Sequence, residues 1–152
     1  MLSVRAVTES DAAAWRRLWA GYVAFYNASL SDEITDHTWR RILDPAAPVI
    51  GRVAECGVAE REGHVAGFSV SVIHEGTWTR APVCYLEDMF VDPAARGGGI
   101  GRALIGDLVA LGRQRGWSRL YWHTRAGNDA ARRLYDRFAA ADDFVRYRMT
   151  LD

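Results

Sequence analysis

The sequence predicts an α/β (α+β) fold: a mixed β-sheet with helices on its faces. Three observations carry this. Segments with strand-like alternation interleave with segments whose apolar residues recur every three to four positions. Some strands follow one another directly and others are separated by helices, which makes the sheet mixed. Of the 152 residues, 49% are hydrophobic, enough to fill the core of one compact domain spanning residues 1–152.

The elements follow in order along the chain. Ser3–Val7 reads as a short strand. Thr8-Glu9-Ser10-Asp11 places capping and acidic residues where a helix starts. The helix then carries Ala14, Trp15, Leu18, Trp19, Tyr22, Phe25 and Tyr26 at helical spacing. Asn27–Asp36 is polar and acidic and reads as a loop. A second helix over about Asp36–Leu43 stops at Asp44-Pro45. Val49–Ala59 and His64–Ile73 read as strands, joined by "REGH" as a hairpin turn with Gly63. After "HEGTWTRAP", Val83–Val91 is a further strand. Gly99–Arg115 is an amphipathic helix with Gly116 as its stop. Ser118–Thr124 is an aromatic-rich strand. Asn128 caps a last helix with Ala131, Leu134, Tyr135 and Phe138 on one stripe. Phe144–Leu151 alternates as a closing strand.

Composition removes several function classes. No apolar run is long enough to cross a membrane, and no basic-then-apolar leader opens the chain, so a cytoplasmic protein without a membrane partner is expected. Cys56 and Cys84 sit alone in apolar segments, which fits a reducing compartment. His37, His64, His74 and His123 are scattered, so no metal site is expected. All 19 basic residues are arginine, which excludes a P-loop lysine and a Schiff-base lysine. Residues 1–76 hold seven arginines against ten acids, and residues 77–152 hold twelve against nine. The near-zero net charge and interleaved acids speak against a nucleic-acid partner, while the basic C-terminal half suits an anionic ligand.

The most informative stretch is "FVDPAARGGGIGRALI", Phe90–Ile105. Strand, glycine-rich turn and helix form a plan for binding phosphate, through exposed backbone N–H groups and a helix N-terminus. A dinucleotide fingerprint fails because its third glycine would fall on Leu104, and a P-loop fails because Arg102 follows Gly101. What remains is Arg96-x-x-Gly99-x-Gly101 between an apolar strand and an amphipathic helix. This pattern resembles the coenzyme A loop of the GNAT acetyltransferases. "CYLEDMFVDPAARGGGIGRALI" and "YWHTRAGNDAARRLYDRF" are similar to the core of the polyamine and histone acetyltransferase branch, over roughly residues 83–138. The resemblance implies a sheet of six to seven strands, a splayed central strand pair and four flanking helices. It departs from the family after the last helix, where "RFAAADDF" replaces the usual Gly-Phe.

The resemblance further implies acetyl-CoA as co-substrate, with no metal. Arg96, Gly97, Gly98, Gly99, Ile100, Gly101 and Arg102 would bind it, with Asn128 of the following helix. Backbone groups of Met89, Phe90 and Val91 would pair with the pantetheine and polarise the thioester carbonyl. Glu87 matches the acid proposed as base in the polyamine branch, and Tyr135 matches the tyrosine that serves as acid toward the coenzyme A sulfur. Asp88 neighbours Glu87 and points to the other face unless a bulge intervenes. Only one of the two should face the amine.

The acceptor site of such a fold lies between the first two helices and the hairpin before the central strand. Those segments hold Tyr22, Phe25, Tyr26, Asp32, Glu33, Asp36, Trp39, His74, Glu75 and Trp78. Aromatics and carboxylates suit an organic cation. Glu75, Trp78 and Asp88 are kept as substrate candidates, and a small polyamine-like amine is the expected acceptor. A protein lysine or an amino acid is the alternative, and a non-catalytic acyl-CoA-binding module is the alternative from another class. GNAT relatives imply a homodimer.

Overall fold

The computed structural model describes residues 1–58 and 61–152. The elements are β1 (Leu2–Ala6), α1 (Ala12–Phe25), α2 (Asp32–Leu43), β2 (Val49–Val58), β3 (Arg61–His74), β4 (Val83–Val91), α3 (Ile100–Arg115), β5 (Arg119–Tyr121) and α4 (Asp129–Tyr135). Short 3₁₀ turns at Glu9–Asp11 and Pro93–Ala95 precede α1 and the glycine loop. The sheet runs β1-β2-β3-β4-β5, antiparallel except for the parallel β4–β5 pair. No helix among the described residues is long and apolar enough to cross a membrane.

Helices α1 and α2 cover one sheet face. Trp15 and Leu18 are fully buried and Trp19 nearly so, in one cluster with Trp39, Val53, Phe68 and Phe90. Trp15 stacks on Trp19 at 5.0 Å between centroids. The entry to α1 is fixed by Asp11, whose carboxylate takes two guanidinium bonds of 2.8 Å from Arg5 and the Thr8 backbone N–H at 2.8 Å. Arg5, foremost, holds the Asp11 carboxyl below its ordinary range. Helix α3 covers the other face through Ile100, Leu104, Ile105 and Leu108. It is tied to β2 by a double bond from Arg52 to Asp107, both at 2.7 Å.

Four sequence expectations need correction. Helix α2 starts at Asp32 rather than Asp36, because Ser31 caps it by accepting from Ile34 N–H and acids fill its first turn. "REGH" is not the hairpin turn: β3 begins at Arg61, opposite Val58, and the expected turn glycine Gly63 lies within the strand. Residues 59 and 60, which separate the strands, lie outside the described residues. The aromatic strand Ser118–Thr124 shortens to Arg119–Tyr121, since β5 finds partners only at Val83–Tyr85. Phe144–Leu151 forms no strand, so the sheet has five strands rather than six to seven. Alternation alone does not make a strand; the backbone needs a ladder partner, and the tail finds none within its own chain.

Candidate active site

The central feature is a bulge in β4. Val70 pairs with Asp88 and Ser71 with Leu86, so Glu87 is the extra residue. A bulge re-aims side chains. Leu86 and Met89 pack on the α3 side, while Asp88 and Phe90 turn to the α1 side. Glu87 is exposed. Its exposure and the burial of Asp88 settle which carboxylate meets the helix layer, the point that alternation left open.

Asp88 accepts a 2.8 Å hydrogen bond from the Tyr22 hydroxyl of α1. Burial pushes its carboxyl up to about 6, against the opposing pull of the Tyr22 bond. Burial, followed by the Asp88 charge, pushes the Tyr22 hydroxyl well above the ordinary phenol range, so it stays protonated and donates. The Tyr26 ring lies edge-on to Tyr22 at 5.1 Å, and the Arg125 guanidinium sits over Tyr26 at 5.5 Å. Arg125, just beyond β5, was not singled out by the sequence. No local signal connects it to a tyrosine 99 positions earlier in the chain.

Beyond Tyr85, β4 has no partner on its β5 side. The two strands diverge there, leaving the edge of Glu87–Val91 open toward α4. This is the expected splay. Tyr135, the last residue of α4, is half-buried against the Leu86, Ile105 and Leu108 cluster, with its ring edge-on to Trp122 at 5.6 Å. Burial first, then the nearby Tyr26, raises its hydroxyl above the ordinary value. Among the described residues that hydroxyl has no hydrogen-bond partner. Asn128 caps α4, accepting from Ala131 N–H at 3.3 Å.

The glycine loop follows β4. Asp92 bonds the Ala94 N–H and the Arg17 guanidinium, which anchors the chain just before the loop. Gly97 and Gly99 have φ of 86° and 81°, a backbone that side chains disfavour, and nothing lies within 4 Å of where their Cβ atoms would be. Both glycines border open space just before α3. Gly101 differs: a Cβ there would lie 2.9 Å from Leu134 Cδ2. Its lack of a side chain lets α4 pack on α3. Ile100 is likewise core by its side chain, 2% exposed, and only its backbone faces the loop. Gly98, Arg96 and Arg102 are exposed, with the Arg96 guanidinium over Phe90 at 5.6 Å. A cavity of about 350 Å³ beside the loop is lined by Gly21, Phe25, Phe90, Asp92 and Arg96, among others.

Two weaker candidates lie elsewhere. Glu75 and Trp78 belong to the β3–β4 connection, at the Val83 end of β4. Glu87 is four residues along β4 from Val83, roughly 13 Å at the rise of a strand. Trp78 is 100% exposed.

A loop of left-handed glycines stands before α3, beside the bulged strand β4 and the tyrosine at the end of α4. The model of the acetyltransferase (GNAT) family matches residues 12–140. The chain belongs to the GNAT family. It is an acetyltransferase, and enzymes of this family use acetyl-CoA. The D-amino-acid N-acetyltransferase HPA3 of Saccharomyces cerevisiae is 30% identical over 145 residues, 95% of this chain and 88% of the relative. An aminoglycoside acetyltransferase from an uncultured soil metagenomic sample, solved with sisomicin, superposes with a TM-score of 0.79 at 21% identity over 99% of this chain and 97% of its own. The ribosomal-protein-alanine N-acetyltransferase of Brucella melitensis gives 0.76 at 22% identity over 99% and 100%. These structures share the fold. The polyamine and histone branch is not singled out by these relatives.

Proposed function

We propose that this enzyme acetylates the primary amine of a small acceptor that also carries a carboxylate, an amino acid in class. The observation that carries this is Arg125, held over Tyr26 one ring away from the Tyr22–Asp88 pair. An amine and a carboxylate on one small molecule meet opposite charges there. The yeast relative, named for activity on D-amino acids, supports the same class. A purely cationic polyamine would find no use for Arg125.

Pyrophosphate oxygens of acetyl-CoA would take the N–H groups of Gly97–Arg102 and the α3 N-terminus, with Arg96, Arg102 and Asn128 near the cofactor. Backbone groups of Met89, Phe90 and Val91 on the side of β4 away from β3 would pair with the pantetheine and polarise the thioester carbonyl. An aliphatic amine has a pKa of about 10 and arrives protonated. Asp88, ionised above about pH 6 and partly desolvated, would take its proton directly or through water. Exposed Glu87 would attract the cation into the mouth, or relay the same proton. The free amine nitrogen bonds to the acetyl carbon, the carbon–sulfur bond breaks, and the nitrogen gives up its second proton to solvent as the amide forms. The Tyr135 hydroxyl would donate to the sulfur as its charge builds.

The test is thiol release from acetyl-CoA with both enantiomers of several amino acids, a linear polyamine and a lysine peptide. Turnover of amino acids, with a KM for them that rises at least tenfold in Arg125→Ala, is the expected result. Turnover of the polyamine alone, unaffected by Arg125→Ala, would replace this reading with the cationic-acceptor one.

A further inference from the structure

Two tyrosines and two histidines form a cluster on the sheet that the packing of the helices leaves unused. Leu120 of β5 and Trp122 just after it pack with Leu86 toward α3. Tyr121 between them, and Tyr85 before Leu86, therefore project to the opposite face. That is the face on which Tyr22 meets Asp88. The two phenol rings stack at 5.0 Å between centroids, on residues paired directly across β4 and β5. His74, at the end of β3, stands edge-on to Tyr121 at 5.8 Å, and His123 stands edge-on to Tyr85 at 5.3 Å. None of the four belongs to the buried clusters under α1, α2 and α3. His74, Tyr85 and Tyr121 are half-buried and His123 is exposed.

The polar tips of this platform are engaged with one another. His74 Nδ1 lies 2.8 Å from the Glu75 carbonyl, which only accepts. The neutral imidazole therefore carries its proton on Nδ1, and Nε2 accepts from the Tyr121 hydroxyl at 2.8 Å. The Tyr85 hydroxyl lies 3.2 Å from His123 Nδ1. With both phenol oxygens engaged, what remains for a ligand is ring surface. The flanking charges narrow the ligand further. The Arg119 guanidinium already lies over Tyr121 at 5.1 Å, which disfavours a second cation there. Burial first, then the Glu87 charge, raises the Tyr85 hydroxyl above its ordinary value, and Arg146 opposes them. Negative charge on one side and positive on the other leave little place for an ionic side chain of either sign. A neutral ring meets no such penalty and gains edge or face contact with the tyrosines and imidazoles.

We propose that His74, Tyr85, Tyr121 and His123 are the binding surface for a neutral aromatic side chain on the acceptor. This rests on the amino-acid reading above and adds the class of side chain to it. An amino acid with its amine at Asp88 and its carboxylate at Arg125 has one large substituent left. Tyr85 lies three residues before Asp88, and His123 two before Arg125, so the platform adjoins both charged contacts. The third substituent has ring surface beside it.

Thiol release from acetyl-CoA reads the preference as a ratio of kcat/KM. Phenylalanine, in whichever enantiomer is turned over faster, should exceed leucine by about tenfold, and arginine by more. Tyr121→Leu should bring the phenylalanine-to-leucine ratio down to about twofold or less. His123→Ala alters an exposed position and should lower the same ratio by about threefold, which keeps the test open if Tyr121→Leu does not fold. 2-Phenylethylamine and 3-methylbutylamine lack a carboxylate, so they read the platform without Arg125. A phenyl preference between these two amines, with no amino acid turned over, would end the amino-acid reading and keep the platform. Amino-acid turnover with phenylalanine no better than leucine or arginine, or a phenyl preference that both variants retain in full, would overturn the platform alone. Turnover of no phenyl-bearing amine at all would overturn both.

Discussion

Helix α1 and the C-terminal tail are both rich in aromatic and aliphatic side chains, yet α1 buries Trp15, Leu18 and Trp19 while the tail exposes Val145, Tyr147, Met149 and Leu151. The difference is one of partners. Helix α1 lands on β3 and β4, which present Phe68 and Phe90 to it. The tail issues from a short helix beside a strand with three paired residues. The half of the sheet around β2–β4 is complete within the chain. The half around β5 is open, and the open half holds the splay, Tyr135 and the edge. The largest buried aromatic cluster thus lies on one side of the molecule, and the open edge and Tyr135 on the other.

The sharpest way to break this comparison is to empty the complete half. Trp15→Ala should destabilise the fold by about 3–5 kcal/mol, seen as an earlier urea midpoint. Trp15 Nε1 is buried and has no hydrogen-bond partner among the described residues, so Trp15→Phe removes an unsatisfied donor while keeping an aromatic ring and should cost much less. Equal losses for both variants would mean that the indole ring's bulk, not burial in general, sets the cost.

The open half should respond through turnover. Tyr135→Phe keeps the ring against Trp122 but removes the hydroxyl. If the hydroxyl assists the leaving thiolate, turnover should fall by about 10²–10⁴-fold with a nearly unchanged melting temperature. Full turnover with lowered stability would make Tyr135 a packing residue and leave protonation of the sulfur to water or the substrate ammonium.

The loop separates two kinds of glycine. Gly99→Val imposes a β-branched side chain at φ 81° and should distort the loop amides proposed to take the pyrophosphate. Calorimetry should show at least a tenfold weaker affinity for coenzyme A. Gly98→Ala is the control: its Cβ would sit 3.4 Å from Ala95 O at an ordinary φ, and affinity should barely change. Similar effects at both positions would move the binding role from backbone conformation to overall loop mobility.

What could be read from sequence follows the same division. Short-range signals located α1, β4, α3 and the loop, because the aromatic stripe, the apolar run and the glycines are each self-contained. The Asp88–Tyr22 bond joins residues 66 apart, and Arg125 reaches Tyr26 from the other end of the chain; neither leaves a local trace. Which of Glu87 and Asp88 turns toward α1 depends on a bulge in the β3–β4 register, which alternation alone does not locate. The tail misled for the opposite reason. Its local pattern is a strand pattern, but a strand is defined by a neighbour, and the described residues do not supply one.

The smallest effect sharpens the comparison at the point where the two halves touch, Tyr22 of α1 on Asp88 of β4. Asp88 has its carboxyl pushed up to about 6 by burial. If Asp88 takes the amine proton, kcat/KM should fall below about pH 6, as the carboxyl becomes protonated. Asp88→Asn should remove that limb together with most of the activity, whereas Glu87→Gln should keep the limb. The Tyr22 bond favours the charged carboxylate, so Tyr22→Phe moves the limb upward and should cost about two- to tenfold in activity at pH 6, with recovery at higher pH. Stability runs the other way. A carboxyl whose pKa is raised in the fold contributes stability that is present below the unfolded value of about 3.9 and is lost as pH rises through about 6. The parent should therefore lose melting temperature relative to Asp88→Asn between pH 4 and 7. A limb that stays in place in Tyr22→Phe, or that disappears in Glu87→Gln, would transfer the base to Glu87 and leave Asp88 as the residue that locks α1 onto the bulge.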